Sequence, residues 1–254
     1  MTNKNAVAVI TGGSRGLGRN AAVHLARAGI GSIITYRENK TEAAAAVAEI
    51  EKAGAKAVAL QLDAGKSGTF GDFAGAVKAA LKKEWNRERF DFLVNNAGMG
   101  VHKAFAETTE AELDALYEVH LKGPFLLTQK LLPLIEDGGR ILNVSTGLAR
   151  FTLPGYAAYA AMKGAIEVLT RYQAKELGAR QISVNVLAPG AIATDFGGGA
   201  VRDNPQLNKM VAGLIALGRV GEPDDIGGVV TSLLAGDTKW INGQRIEASG
   251  GQGL

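Results

Sequence analysis

Apolar residues cluster along the chain in short unbroken runs, each followed by a longer stretch with helical spacing. The runs are Ala6–Ile10, Ser32–Tyr36, Lys56–Leu62, Phe90–Asn95, Arg140–Ser145, Ile182–Leu187 and Arg245–Ala248. Most are continuously apolar rather than alternating, the pattern of strands covered on both faces. Between them the spacing predicts helices over Leu17–Ala28, Lys40–Ala53, Phe70–Lys83, Glu110–Glu136, Ala157–Leu177 and Asp224–Ala235. Strand–helix alternation implies an α/β fold with a parallel sheet and right-handed crossovers. No linker-like stretch or internal repeat interrupts the order, so residues 1–254 read as one domain. The glycine patch Gly197–Gly199 is the nearest thing to a hinge.

Composition narrows the function classes. The chain has 254 residues, enough to bury a full core without staples. It has no cysteine, which removes disulfides, thiolate catalysis and cysteine-bound metals. Its 28 basic and 25 acidic residues leave a net charge of +3, too little for the footprint of a nucleic-acid binder. No apolar run approaches the ~18 residues of a membrane span. The N-terminal apolar run is too short for a signal peptide, so a cytoplasmic location is expected. Three scattered histidines predict no metal site.

The 34 glycines are about twice the usual share. Several gather where chemistry is expected. After the first strand the chain reads Thr11-Gly12-Gly13-Ser14-Arg15-Gly16-Leu17-Gly18 and then enters a helix. Glycines there let the backbone turn tightly and approach a pyrophosphate, which the free N–H groups of the helix start would hold. Further on, Tyr159 and Lys163 stand four apart in a helical stretch and so share a face.

The glycine spacing G-x-x-x-G-x-G, Asn95-Asn96-Ala97-Gly98, Tyr159-x-x-x-Lys163, Pro189-Gly190 with Thr194, and Arg219-Val220-Gly221-Glu222-Pro223 occur in one order over nearly the whole chain. Together they resemble the short-chain dehydrogenases/reductases. The resemblance implies a Rossmann-type, doubly wound, mainly seven-stranded parallel sheet with helices on both faces, strand order 3-2-1-4-5-6-7. It also implies a homotetramer, with Glu110–Glu136 and Ala157–Leu177 at the subunit interface, and an NAD(P)-dependent oxidoreductase acting on a carbonyl/alcohol pair of a small molecule.

By that resemblance the cofactor would meet Gly12, Ser14, Arg15, Gly16, Leu17 and Gly18, then Tyr36, Arg37, Asp63, Ala64, Asn95, Ala97, Gly98, Pro189, Gly190, Ile192 and Thr194, with Tyr159 and Lys163. No carboxylate ends the second strand, and Arg37 follows it, with Arg15 in the loop. Two guanidiniums suit a ribose 2′-phosphate, so NADP(H) is favoured over NAD(H). The alternatives are a solvated Arg37, an Asp63 that caps a helix, a Thr194 that does the same, and an Asn95 that ties strands together.

Tyr159 would be the general acid/base and Lys163 its partner. A free tyrosine titrates near ~10 and needs that help at neutral pH. The family's serine lies thirteen residues before the tyrosine; that position is Thr146, with Ser145 one step earlier. Adjacent strand residues face opposite ways, so one of the two hydroxyls can enter the site, and Thr146 is favoured. The family's asparagine in the helix after the fourth strand is replaced by His120, which reads either as a proton-handling group or as a packed helix histidine. Leu148, Arg150, Phe151, Tyr156 and Phe196 are pocket candidates, and 195–216 the substrate lid. The departures at 146 and 120 leave room for a non-catalytic NADP(H)-binding sensor or scaffold, and a reaction such as epimerisation on bound cofactor is the remaining rival.

Overall fold

The computed structural model describes residues 5–254. Seven parallel strands form one sheet: β1 (Val7–Ile10), β2 (Gly31–Tyr36), β3 (Ala57–Gln61), β4 (Phe90–Asn95), β5 (Ile135–Val144), β6 (Ser183–Pro189) and β7 (Arg245–Ala248). Their order is β3-β2-β1-β4-β5-β6-β7, the doubly wound arrangement expected. The continuous apolar runs are explained by two cores. Ala8, Ile10, Ile34, Val94, Leu142 and Leu187 face helices α1 (Gly16–Arg27), α2 (Lys40–Lys52) and, late in the chain, a helix at Pro223–Ala235. Their neighbours Val7, Val9, Ile33, Leu93, Ile141 and Val184 face α3 (Phe70–Ala80) and two helices from the middle of the chain. A strand with both faces buried has no polar face to show.

The predicted helix Glu110–Glu136 is broken. It forms α4 (Glu110–Tyr117), a wide π-helical turn over Glu118–Lys122, and α5 (Gly123–Leu131). After a single 3-10 turn β5 begins at Ile135, five residues before the expected start. The helix Phe70–Lys83 likewise ends at Ala80 and passes into a wide turn, Leu81–Trp85. The helix α6 (Ala157–Glu176) follows β5 as expected. Between β6 and β7 lie the short helices α7 (Ala200–Asp203) and α8 (Pro205–Ala212), then α9 (Pro223–Ala235). Gly197, Gly198 and Gly199, just before α7, all sit at left-handed φ of 63°, 75° and 78°. Among the described residues no helix is long and apolar enough to cross a membrane.

Candidate active site

The carboxyl ends of β1, β4, β5 and β6 converge on one edge, the edge where open α/β sheets bind ligands. At β1 the loop turns through Gly12 (φ 64°) and Gly16 (φ 54°). Its shape is set by polar residues that the glycine motif does not announce. The Thr35 hydroxyl accepts from Gly12 N–H at 3.0 Å, and the Thr35 carbonyl from Gly13 N–H at 2.9 Å. The Asn96 amide donates to the carbonyls of Thr11 (2.9 Å) and Gly12 (3.2 Å). The Thr11 hydroxyl accepts from the N–H groups of Asn96 and Ala97, each at 3.0 Å. A Cβ on Gly18 would collide with the Gly12 carbonyl and the Asn96 amide, and one on Gly12 would press on Ala97. The start of α1 has neither a side-chain cap nor an acidic residue in its first turn. Ser14 is buried in the loop, Arg15 is exposed, and Leu17 is half-buried against the core. The result is a glycine-lined cradle at an uncapped helix N-terminus, which fits a dinucleotide pyrophosphate.

Around the cradle the expected residues divide. Tyr36 is half-buried at the end of β2, and Arg37 beyond it is exposed and paired with Glu38 at 3.0 Å. Asp63 accepts from Gly65 N–H at 3.0 Å, and Ala64 packs its carbonyl against Gly123. Thr194 is buried over Gly16 and its hydroxyl accepts from Phe196 N–H at 3.2 Å. Pro189 ends β6, and Gly190 lies against Ser249 and Gln252. Ile192 bridges to Gly221. The Gln252 side chain accepts from Ala191 N–H at 2.9 Å, a role no motif revealed. Asn95 turns into the fold: its amide donates to Thr128 (3.0 Å) and Asn143 (2.8 Å), tying β4 to α5 and β5. The Arg219–Pro223 motif builds the start of α9, with Asp225 accepting from Glu222 N–H at 2.7 Å and pairing with Arg219.

Tyr159 and Lys163 are both buried, one turn apart on α6, with the ammonium nitrogen 5.7 Å from the phenol ring centre. Burial pushes the phenol above its ordinary value, while the Thr146 hydroxyl facing it pulls the other way. Burial pushes Lys163 down to about 7, and its Nζ donates to the Val144 carbonyl at 2.6 Å. The Thr146 hydroxyl accepts from Leu148 N–H at 3.3 Å, which leaves its own proton free to donate. The neighbouring Ser145 points the opposite way. Its hydroxyl donates toward Glu167 (2.7 Å) and lies 3.2 Å from the Lys163 carbonyl.

His120 lies in the wide turn, which swings it edge-on to the Tyr159 ring at 5.2 Å. Gly98 makes room for it, since a Cβ there would press on the imidazole at 2.8 Å. Nε2 stands 2.7 Å from the Met99 carbonyl, to which its protonated form donates, and 3.2 Å from the Met99 N–H, from which its unprotonated form accepts; Nδ1 is buried without a partner among the described residues. Burial, and the nearby Lys163, hold its pKa down to about 3, so the ring is neutral.

Over this group Phe196 lies against Tyr159, ring centres 5.7 Å apart, and against Gly100. Tyr156 precedes α6, and its ring lies tilted against that of His102, centres 4.8 Å apart. Phe151 packs on Gly147 and Gly253. Arg150, expected among the pocket residues, has its guanidinium committed elsewhere. It grips Glu247 with two bonds (2.9 and 2.7 Å) and the carbonyls of Gln252 and Gly253.

A family model described as enoyl-(acyl carrier protein) reductase matches residues 12–252, and the chain belongs to the short-chain dehydrogenase/reductase family. It is therefore an oxidoreductase of the Rossmann type. The chain is 36% identical to the tetrahydroxynaphthalene reductase PfmaG of Pestalotiopsis fici, over 96% of this chain and 90% of that one. Among solved structures it resembles LugOII, a promiscuous reductase that catalyses keto-reduction at C1 during lugdunomycin biosynthesis. That likeness has a TM-score of 0.93 and 39% identity, and covers 98% of both chains. It resembles equally the angucycline C-6 ketoreductase LanV with bound NADP, at TM-score 0.93 and 36% identity, covering 98% of this chain and 96% of that one.

Proposed function

We propose that this chain is an NADPH-dependent ketoreductase whose substrate is a small, flat aromatic ketone. The carrying observation is the convergence of the Tyr159 phenol, the free Thr146 hydroxyl and Lys163 beside the glycine cradle. The names of LugOII, LanV and the tetrahydroxynaphthalene reductase support a fused-ring ketone. So do the aromatic side chains close to Tyr159, Phe196 against its ring and Tyr156 three residues before it, which would pack on a planar guest.

The cradle and the start of α1 would hold the pyrophosphate, and Arg37 and Arg15 the ribose 2′-phosphate, as no carboxylate ends β2 to repel it. Thr194 and Ile192, over the loop, would meet the carboxamide end. When bound, the reduced nicotinamide supplies a hydride to the carbonyl carbon. The protein's part is the oxygen. The Thr146 O–H donates to the carbonyl oxygen and orients it. Tyr159 then transfers its phenolic proton to that oxygen as charge develops there, completing the alcohol. Burial holds the phenol above its ordinary pKa, so it carries the proton that a reduction needs it to give. Lys163, one turn along the same helix, supports the phenolate left behind.

The test is NADPH consumption over a panel of naphthols, polycyclic aromatic ketones, simple ketones and 3-oxoacyl thioesters. Fused-ring ketones should turn over fastest, and Tyr159→Phe should lose roughly a thousandfold in kcat. NADPH should bind more tightly than NADH, and Arg37→Ala should narrow the gap by on the order of tenfold. NADPH binding without turnover of any ketone would favour the sensor alternative, and equal affinities would overturn the cofactor preference.

A further inference from the structure

Four charged side chains alternate in sign beneath the catalytic group. Arg150 pairs with Glu247; Glu247 accepts from Arg245 at 2.6 Å; Arg245 donates through Nε to Glu167 at 2.9 Å. All but Arg150 are largely buried. Arg150 holds the Glu247 carboxyl down at about 2, so it is charged. Glu167 sits on α6 one turn after Lys163, and it also accepts from the Ser145 hydroxyl. The remaining arm of Arg245 leaves the chain of pairs: Nη2 donates to the Thr146 carbonyl at 3.1 Å.

That last contact matters because the residue after Thr146 is Gly147, whose backbone has the widest freedom of any residue type. The peptide plane between the two can rotate at little cost unless its carbonyl is held. Among the described residues the only other donor to that carbonyl, Ala149 N–H, is at 3.3 Å. Rotation of the plane leaves the Thr146 side chain on its Cα but displaces the Leu148 N–H that holds its hydroxyl, which frees the side chain to turn away from Tyr159. On the other side of the strand end, Ser145 is fixed by Glu167, and its N–H donates to the Leu187 carbonyl at 2.7 Å.

We propose that Arg245 is a positioning residue for the reaction: steered by Glu167 and Glu247, it locks the Thr146 carbonyl and thereby aims the Thr146 hydroxyl at the substrate oxygen. This role rests on the ketoreductase reading. Arg245 touches neither substrate nor cofactor in it. Its effect passes through one peptide plane, where a displacement of about 1 Å can cost up to a hundredfold in rate.

The experiment is a double-mutant cycle on the full chain, with a second readout that needs no turnover. Arg245→Gln should lower kcat about tenfold or more while leaving the NADPH dissociation constant within about twofold. In a Thr146→Ala background the same change should cost less than about twofold, because no hydroxyl remains to be aimed. Arg245→Lys, which keeps a charged donor, should recover part of the rate, and it carries the cycle if the glutamine variant does not fold. Amide hydrogen exchange should rise in the segment 145–149 and stay unchanged in the phosphate loop. An equal loss of kcat in both backgrounds, or unchanged exchange at 145–149, would overturn the proposal. If the wild type reduces no ketone at all, the ketoreductase reading fails, and the exchange measurement alone decides the clamp.

Discussion

His120 and Lys163 illustrate how burial sets charge at single residues. The folded-state pKa of His120 lies near 3, below the ordinary 6.5, so between those values the unfolded chain takes up a proton that the folded one refuses. This residue's share of stability is intact above about pH 6.5 and is lost as pH falls toward 3. His120→Asn removes that loss. Thermal melts should show the variant gaining on the wild type between pH 7 and pH 4.5, and parallel curves would refute the assignment. Lys163 works in the opposite window. Its pKa falls from 10.5 to about 7, so its burial weakens the fold at neutral pH and ceases to do so as pH rises toward 10.5. Lys163→Met should therefore be more stable than the wild type at pH 7, with the advantage shrinking by pH 10. The site's main residues were legible in the sequence because Tyr159, Lys163 and the glycines stand at fixed spacings. The count of thirteen residues back from Tyr159 pointed to Thr146, and the opposed directions of its hydroxyl and that of Ser145 are what strand alternation predicts. Asn96, Thr35, Gln252 and Arg245 were not singled out, since each acts by a hydrogen bond to a backbone far away in sequence. The pairing of Arg150 with Glu247 was not legible either, because a charge near a pocket looks the same in sequence whether or not a carboxylate already holds it.

At the scale of elements, the strands were read well wherever an unbroken apolar run marked them, and β7 has the expected bounds. The early start of β5 escaped because Asp137-Gly138-Gly139 has the composition of a turn. The helix predicted across residues 110–136 concealed its own interruption: a wide turn adds a residue without removing the apolar periodicity around it. Yet that turn aims His120 at Tyr159. Its far end is fixed by Gly123, where a Cβ would strike the carbonyls of Ala64 and Glu118. Gly123→Ala should therefore cost about 1–3 kcal/mol in urea unfolding. It should also weaken NADPH binding by shifting the Asp63–Ala64 loop. A variant with unchanged stability would mean that the backbone yields there.

For the whole molecule, the apolar side chains left outside are informative. Leu113 and Tyr117 are four apart on α4, Val168 and Tyr172 four apart on α6, and all are exposed, as is Phe125 on α5. Pairs at that spacing share a helix face. These are the helices expected at a subunit interface, and we expect the chain to assemble as a homotetramer through them. Light scattering should report the assembly for the wild type and smaller species for Tyr172→Asp; a monomeric wild type would remove the expectation.

The bonds from Gln252 to Ala191 and from Arg245 to Thr146 also bear on the order in which a ribosome delivers the parts. The cradle between β1 and β4 and the Tyr159–Lys163 helix leave the ribosome before β7 does. The strand that carries Arg245 follows them both. The proposed hold on Thr146 can therefore form only after both the cradle and α6 have been made, whatever order they fold in.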